Sequence, residues 1–279
     1  MQFLAPAKIN LTLRVLRRRD DGFHDIDSLM VPVSVFDRLD VELLDEGGLQ
    51  FACDDPTVPG DDKNLVVRAA KLFCTEIGIE PHVRIHLEKQ IPHGAGLGGG
   101  SSDAAITLVA LNHLFRTELP QETLLSLAAH LGSDVPFFIH GRPARAQGRG
   151  EKLEAANFRE RLPLLLIKPA FSVPTPWAFQ RWRDSRELPD IPYAPQTLPW
   201  GEMVNDLERP VFEKHLFLAT LKKWLLQQPE CSGALMSGSG STVFAVMQRS
   251  EDAAPLGERI AHEFGATLWC HAAETLVPE

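Results

Sequence analysis

The segment from Ile91 to Phe115 combines a run of glycines, a pair of serines and a helical pattern. Five of the seven residues from Gly94 to Gly100 are glycines, and Ser101 and Ser102 follow directly. Glycines ahead of a helix let backbone amides curl around an anion, and the unpaired N–H groups of the helix N-terminus carry partial positive charge. The segment therefore predicts a phosphate-binding loop, the alternative being a flexible connection with a Ser or Asp N-cap.

The glycine pattern fits some phosphate-binding motifs better than others. A Walker A loop requires a lysine that this loop lacks, and a protein-kinase glycine loop joins two strands, whereas a helix pattern follows here. Gly94, Gly96 and Gly99 match the G-x-G-x-x-G of dinucleotide folds, but the preceding strand alternates and no strand ends in an acidic residue about 20 residues later. An NAD-dependent oxidoreductase is therefore the weaker alternative. The absence of G-x-S-x-G argues against an α/β-hydrolase nucleophile.

The loop must be positioned by a mixture of strands and helices. Strand patterns cover 9–15, 83–87 and 162–167, "SDVPFFIHG" predicts a turn into a short strand, and "GALMSGSGSTVFAV" predicts two strands around a glycine turn. Helix patterns cover 61–78, 104–115, 121–131, 210–228 and 251–265. This order indicates an α+β protein in two domains, 1–155 and 156–279, with the boundary near 151–161.

The composition is that of a globular protein and limits the classes of partner. Of the 279 residues, 44% are hydrophobic and 23% are charged, and the formal net charge is -9. This negative balance argues against nucleic acid or a membrane surface as a partner, since both attract basic faces. The scattered Cys53, Cys74, Cys231 and Cys270 indicate neither a zinc site nor a disulfide framework. Without a signal-peptide or membrane-span pattern, we expect a cytoplasmic protein.

Three separated segments carry a family resemblance. "PAKINLTLRVLRRRDDGFH", "IPHGAGLGGGSSDAA" and "GALMSGSGSTVFAV" resemble, in this order, the three motifs of the GHMP small-molecule kinases. "DGFH", "LGSDVPFF" and "SVPTPWAF" are similar to the branch that phosphorylates a cytidyl derivative of methylerythritol. The resemblance implies a two-domain GHMP-kinase-like fold, with an N-terminal ATP-binding domain, a C-terminal substrate domain and a cleft between them.

The resemblance also implies roles for particular residues. It places the catalytic pair at Lys8 and Asp134. It implies ATP as cofactor, with nucleotide-binding residues Asn64, Pro92, His93, Gly94, Ala95, Gly96, Leu97, Gly98, Gly99, Gly100, Ser101 and Ser102. The implied substrate-binding residues are Asn10, Phe23, His24, Thr175, Phe179, Gly238 and Ser239. Mg²⁺ is expected, and its ligands stay open among Ser101, Ser102 and Asp134.

Each of these residue types also has an ordinary structural role. Asp134 is placed to accept a proton from a substrate hydroxyl, but between Gly-Ser and Val-Pro it could simply close a turn. Lys8 would keep that carboxylate ionised and offset charge on the phosphoryl group, whereas most lysines are solvated. Phe23 and Phe179 suit stacking on a base or a core position. The family more often has tyrosine where Phe23 stands, so a hydroxyl contact is lost.

The implied reaction is ATP-dependent phosphorylation of the 2-hydroxyl of 4-diphosphocytidyl-2-C-methyl-D-erythritol, in the non-mevalonate isoprenoid pathway. The alternatives are another GHMP kinase acting on homoserine, mevalonate or a sugar, the NAD-dependent oxidoreductase, and a nucleotide-binding module without catalysis. We expect a monomer or a weak homodimer with a small-molecule cytidyl substrate.

Overall fold

The computed structural model describes residues 1–278, which form a mixed α+β structure. The strands are β1 (Gln2–Arg18), β2 (His24–Leu43), β3 (Leu49–Cys53), β4 (Val83–Glu88), β5 (Ala144–Gly148), β6 (Lys152–Ala155), β7 (Pro163–Lys168), β8 (Gln196–Leu198), β9 (Gly201–Asn205), β10 (Cys231–Met236), β11 (Val243–Met247) and β12 (Trp269–Glu274). The α-helices are α1 (Leu65–Glu76), α2 (Gly99–Leu114), α3 (Gln121–Leu131), α4 (Val135–His140), α5 (Thr175–Arg181), α6 (Glu208–Lys214), α7 (Leu216–Leu225) and α8 (Ala253–Phe264).

Packing divides the chain into two compact units, each assembled from separate stretches. The first unit comprises Met1–Ala7, Val35–Pro92 and Gly98–Arg142, and the second comprises Lys8–Ser34, His93–Leu97 and the chain from Pro143 on. Strands β1 and β2 each contribute residues to both units. Because these units are defined by packing and not by continuous sequence, the division into domains 1–155 and 156–279 stays a prediction.

The first unit holds helix α2 at the end of the glycine loop. The later half of β2 pairs antiparallel with β4, which pairs parallel with β3. Val83, Ile85 and Leu87 are buried and alternate with more exposed residues, as expected for a strand with one face in the core. One face of α2, which includes Ala105 and Leu108, is fully buried, and this packing fixes the direction of its N-terminus.

The second unit is built on a four-stranded antiparallel sheet in the order β10-β11-β7-β12. Strand β7 lies inside this sheet, and its run from Leu164 to Ile167 is buried, which explains why its sequence is continuously apolar. Beside this sheet, β9 pairs parallel with β1, and β5 pairs antiparallel with β2. The hairpin β10–β11 carries the glycine turn at its tip, as the sequence predicts.

Two local predictions are wrong. The segment after Asp134 forms helix α4 and not the predicted strand. A short apolar run has no period by which a helix can be told from a strand. Pro136 is compatible with the helix because it lies in the first turn, where its missing N–H would have no intrahelical partner. The single helix predicted over 210–228 is two helices, α6 and α7, separated at His215, whose ψ of 72° is not helical. The predictions for α3, β7 and α8 are confirmed. Among residues 1–278, no helix has the length and apolar character needed to cross a membrane.

Candidate active site

Strand β1 carries a buried row of polar side chains in the second unit. Lys8 Nζ donates to Asn10 Oδ1 at 2.8 Å, and Asn10 Nδ2 donates to Ser28 Oγ at 2.7 Å. Lys8 and Asn10 are each only 4% exposed. Alternate residues of a strand share one face, so the two side chains lie side by side. Lys8 is therefore not a solvated surface lysine.

The first half of the glycine loop is fastened to the same unit. Lys8 N donates to Leu97 O at 2.9 Å, and Thr242 N donates to Ala95 O at 3.1 Å. Gly96 has a φ of +76°, and a β-carbon there would lie 2.2 Å from the Ser237 carbonyl oxygen. Only glycine fits a position with this conformation and this close an approach of backbone. The glycine at 96 is thus required by packing against the β10–β11 turn.

That turn also lies beside the β1 polar row. A β-carbon on Gly238 would lie 3.4 Å from Lys8 Nζ and 3.5 Å from Asn10 Oδ1. One residue further on, Ser239 Oγ and Thr175 Oγ1 are hydrogen-bonded at 2.7 Å. The structure therefore brings together the predicted residues Lys8, Asn10, Thr175, Gly238 and Ser239.

The second half of the loop leads into helix α2 in the first unit. Gly98 is the N-cap residue in the left-handed conformation, and no side chain caps the helix. Ser102 Oγ is buried and has no hydrogen-bond partner among residues 1–278. A buried hydroxyl without a partner is costly, and the free amides of an uncapped N-terminus suit an anion. The helix start therefore fits a phosphate group.

Asn64 lies at the start of helix α1 and uses both ends of its amide locally. Its Oδ1 accepts from Val66 N at 2.8 Å, and its Nδ2 donates to Pro59 O at 2.7 Å. This is the usual geometry of an N-cap asparagine. Its predicted role in nucleotide binding stays a prediction.

A buried ionic cluster, which the sequence patterns did not reveal, lies beneath the start of α2. Lys89 Nζ is hydrogen-bonded to Asp37 and, at 2.8 Å, to Asp103 Oδ2. Asp37 Oδ1 also accepts from the backbone N–H groups of Gln90 at 2.6 Å and Ile91 at 2.8 Å, just ahead of the loop. The sequence feature that could have indicated this cluster is Asp103, an acidic residue among the apolar residues of α2, because a buried carboxylate needs a charged or hydrogen-bonding partner.

The Asp103 carboxyl has a strongly perturbed proton affinity. Burial raises its pKa to about 8, the positive charge of Lys89 partly opposes this, and the negative charge of Asp37 adds to it. Two carboxylates that share one ammonium cannot both ionise without leaving net negative charge in the interior. The cluster therefore keeps an extra proton at neutral pH.

Aromatic side chains gather at the start of β2, again in the second unit. The rings of His24 and Phe179 stack with centroids 5.4 Å apart, and Trp182 meets His24 edge-on at 6.2 Å. Phe23 is 50% exposed, and the Arg149 guanidinium lies 4.9 Å from its ring centroid. The structure thus brings His24 and Phe179 together, and it adds Trp182 and Arg149, which no sequence motif indicated.

The environment of His24 favours its neutral form. Burial, followed by the positive charge of Arg18, lowers the pKa of His24 below its usual value. A neutral imidazole offers one donor and one acceptor nitrogen, the combination that matches the edge of a pyrimidine base.

Asp134 lies in the first unit, immediately before helix α4, and is partly buried. Lys8 belongs to the second unit.

Within residues 1–278 there is no group of three or more His, Cys, Asp or Glu side chains that could hold a metal ion. All four cysteines are free thiols.

Comparison with known proteins identifies the family. Residues 64–142 match the model of the GHMP kinase N-terminal domain, and residues 196–266 match that of the GHMP kinase C-terminal domain. A 4-diphosphocytidyl-2-C-methyl-D-erythritol kinase of Methylacidiphilum infernorum is 44% identical over 88% of this chain and 86% of its own. The chain belongs to the GHMP kinase family.

Further relatives place this GHMP kinase within one branch of the family. The enzyme of the same name from Synechococcus sp. is 42% identical, over 94% of this chain and 89% of its own. A crystal structure of a 4-(cytidine 5'-diphospho)-2C-methyl-D-erythritol kinase superposes with a TM-score of 0.81 at 38% identity and covers 99% of this chain and 100% of its own. The predicted GHMP-kinase-like α+β fold, the family and the kinase activity are confirmed, and members of this family use ATP as the phosphate donor.

Proposed function

We propose that this GHMP kinase transfers the γ-phosphoryl group of ATP to the 2-hydroxyl of 4-diphosphocytidyl-2-C-methyl-D-erythritol, a step of the non-mevalonate isoprenoid pathway. The observation that carries the proposal is the identity of 39–44% over most of the chain to relatives that bear the name of this kinase. The aromatic group at Phe23, His24 and Phe179 supports it, because a cytosine ring requires stacking partners that a homoserine or mevalonate acceptor does not.

The triphosphate is proposed to lie on the loop from Pro92 to Ser102. The uncapped amides at the start of α2 and the buried, unpartnered Ser102 hydroxyl support this placement. When bound, ATP would supply the transferable phosphoryl group, and Mg²⁺ would neutralise part of the negative charge of the phosphates. Because no cluster of three metal-ligating side chains exists in residues 1–278, Mg²⁺ would be held chiefly by phosphate oxygens and water, with Ser101, Ser102 or Asp134 as candidate ligands.

The proposed chemistry uses Lys8 and Asp134. The Asp134 carboxylate accepts the proton of the 2-hydroxyl as that oxygen bonds to phosphorus and the bond to the departing ADP breaks. The Lys8 ammonium, held by Asn10, would offset the negative charge on the transferring group.

The acceptor is proposed to be oriented by two groups of residues. Phe23 and Phe179 would stack on the cytosine, and neutral His24 would hydrogen-bond to its edge. Asn10, Thr175, Gly238 and Ser239, which lie together in the second unit, would hold the methylerythritol end and its diphosphate. A cytoplasmic monomer or weak homodimer belongs to the same proposal and stays a prediction.

The test is an ADP-release assay in which the wild type is offered the cytidyl substrate, homoserine or mevalonate. We expect turnover with the cytidyl substrate alone. Turnover only with another acceptor would overturn the proposed substrate, and NADH binding without ATP use would favour an oxidoreductase.

Asp134→Ala should lower kcat by ~10²–10⁴-fold, the usual contribution of a general base. Asp252→Ala is the matched control, because Asp252 also precedes a helix and is partly buried. Equal turnover by Asp134→Ala and wild type would remove Asp134 as the base.

A further inference from the structure

Asn205, the last residue of β9, is a buried asparagine with every side-chain hydrogen in use. Its Nδ2 donates to the carbonyl oxygens of Met236 at 2.6 Å and of Gly238 at 2.8 Å. Its Oδ1 accepts from Leu207 N at 2.9 Å. A carboxamide has two N–H donors, so both are spent on the β10–β11 turn.

The turn that Asn205 holds has little room to move. Gly238 has a φ of +56°, and a β-carbon there would lie 3.2 Å from Gly96 O, 3.4 Å from Lys8 Nζ and 3.5 Å from Asn10 Oδ1. A small shift of the Gly238 backbone would therefore either open a gap beside the lysine or collide with the loop. The Gly238 carbonyl oxygen is one of the two that accept from Asn205 Nδ2.

Asn205 is itself fixed to the strand that bears the lysine. Strand β9 pairs parallel with β1, with Asn205 opposite Leu13. Asp206 N donates to Leu13 O at 2.9 Å, and Val15 N donates to Asp206 Oδ2 at 2.7 Å. One short segment therefore binds both β1, which carries Lys8 and Asn10, and the turn that faces them.

We infer that Asn205 is a positioning residue for phosphoryl transfer: its two N–H donors hold the Gly238 turn at a fixed distance from Lys8 and Asn10. The inference rests on the proposed function, because it assigns Asn205 a part in placing the acceptor beside the lysine. Asn205 acts through the turn and the strand. Misplacement of reacting groups by about 1 Å can lower a rate ~10²-fold, so such a residue affects kcat without contacting the substrate.

The sharpest change is Asn205→Asp, which keeps the shape and the acceptor but replaces both donors with an oxygen. An ionised carboxylate would then face two carbonyl oxygens and release the turn. Burial beside carbonyls favours the protonated acid, which has one O–H to donate. The variant should therefore recover part of its activity relative to wild type as the pH falls.

The experiment measures kcat and KM of wild type, Asn205→Asp and Asn112→Asp for ATP and the cytidyl acceptor, from pH 6 to 8. We expect Asn205→Asp to lower kcat by ~10–100-fold at pH 8, with a smaller deficit at pH 6. Asn112 is the matched control, because its Oδ1 accepts from Leu119 N at 2.9 Å and Thr117 Oγ1 at 2.7 Å and so anchors a different loop. Asn112→Asp should leave kcat within about twofold of wild type at both pH values.

Circular dichroism and thermal unfolding check that each variant is folded. If Asn205→Asp does not fold, Asn205→Ser decides, because its hydroxyl keeps one donor without a charge; we expect a kcat loss that does not vary with pH. A kcat near wild type in the folded Asn205 variant, a deficit in Asn205→Asp that is equal at both pH values, or an equal deficit in Asn112→Asp would overturn the inference. An inactive wild type would instead overturn the proposed function.

Discussion

The carbonyl oxygen of Gly96 accepts a hydrogen bond of 3.0 Å from Ser237 Oγ, although the two residues are 141 positions apart in the chain. The first half of the glycine loop is therefore held by contacts with the β10–β11 turn as well as by its own backbone. A loop built of glycines loses much conformational entropy on folding, and such external contacts offset that cost. The order of the loop depends on a segment far away in sequence.

The first prediction concerns this contact. Gly96→Ala places a β-carbon 2.2 Å from Ser237 O and forces an L-residue to a φ of +76°. We expect at least ~10-fold weaker ATP binding, because the loop must shift before its amides can face the phosphates. Isothermal titration with ATP measures the affinity. Gly60→Ala is the control, since nothing lies within 4 Å of a β-carbon there; an unchanged affinity in Gly96→Ala would count against the loop as the phosphate site.

The second prediction concerns the half-exposed ring of Phe23. Phe23→Ala removes a stacking surface, and base stacking on an aromatic ring is worth ~1–3 kcal/mol, so KM for the cytidyl acceptor should rise by ~5–150-fold. The KM for ATP should not change. Phe23→Tyr, which restores the residue more common in the family, should keep the acceptor KM near wild type. Leu16→Ala, at an exposed apolar residue of β1, is the control; equal acceptor KM values for Phe23→Ala and wild type would contradict the stacking role.

The third prediction concerns the proton held by Asp103. Its pKa of about 8 in the folded protein lies above the ordinary value of 3.8 for an aspartate, so the folded state binds the proton more tightly than the unfolded state does. The stability gained from this proton is full below the unfolded pKa and is lost as the pH rises through the folded pKa. Between pH 6 and 8 the free energy of unfolding should fall with a slope of up to about 1.4 kcal/mol per pH unit from this group.

Asp103→Asn tests this assignment, because an amide does not titrate. Urea unfolding at several pH values should give a flatter curve for the variant between pH 6 and 8, and the two curves should run parallel at higher pH. Parallel curves over the whole range would show that Asp103 does not hold the proton.

The fourth prediction concerns the buried pair of Lys222 and Glu208, whose Nζ and Oε2 are 2.6 Å apart. Burial raises the pKa of Glu208, and Lys222 opposes this rise. Lys222→Met should destabilise the protein by roughly 3–5 kcal/mol, because it leaves a buried carboxyl without its partner. Arg84→Met, which breaks an exposed pair with Glu42, should cost less than about 1 kcal/mol. Urea unfolding measures the free energy of unfolding of both variants. Similar losses of stability in Lys222→Met and Arg84→Met would contradict a larger contribution from the buried pair.

The sequence predicted those features that depend on local pattern. The glycine loop, helix α2, the buried strand β7 and the glycine turn of β10–β11 follow from periodicity and turn chemistry over a few neighbouring residues. Strand alternation, which the sequence shows from Ile9 to Val15, also accounts for the observed contact of Lys8 with Asn10, because residues two apart share one face. Helix α4 was missed because five consecutive buried residues, Val135–Ile139, show no period.

The supports of the site could not be predicted in the same way. Asn205 reaches Met236 and Gly238, and Lys89 joins Asp37 to Asp103, across 14 to 52 residues of chain. Such contacts depend on which strands pair, and no local spacing encodes them. The cation of Arg149 over Phe23 is of the same kind, since β5 must first pair with β2.

The most direct measurement of the central claim is phosphorus NMR of the wild-type protein with ATP, Mg²⁺ and 4-diphosphocytidyl-2-C-methyl-D-erythritol. We expect the γ-phosphate signal to decay, with ADP and a new phosphomonoester on the 2-oxygen appearing in equal amounts. The diphosphate signals of the cytidyl group should persist. ADP with free phosphate but no phosphomonoester, or no reaction while the same sample phosphorylates another acceptor, would contradict the proposed function.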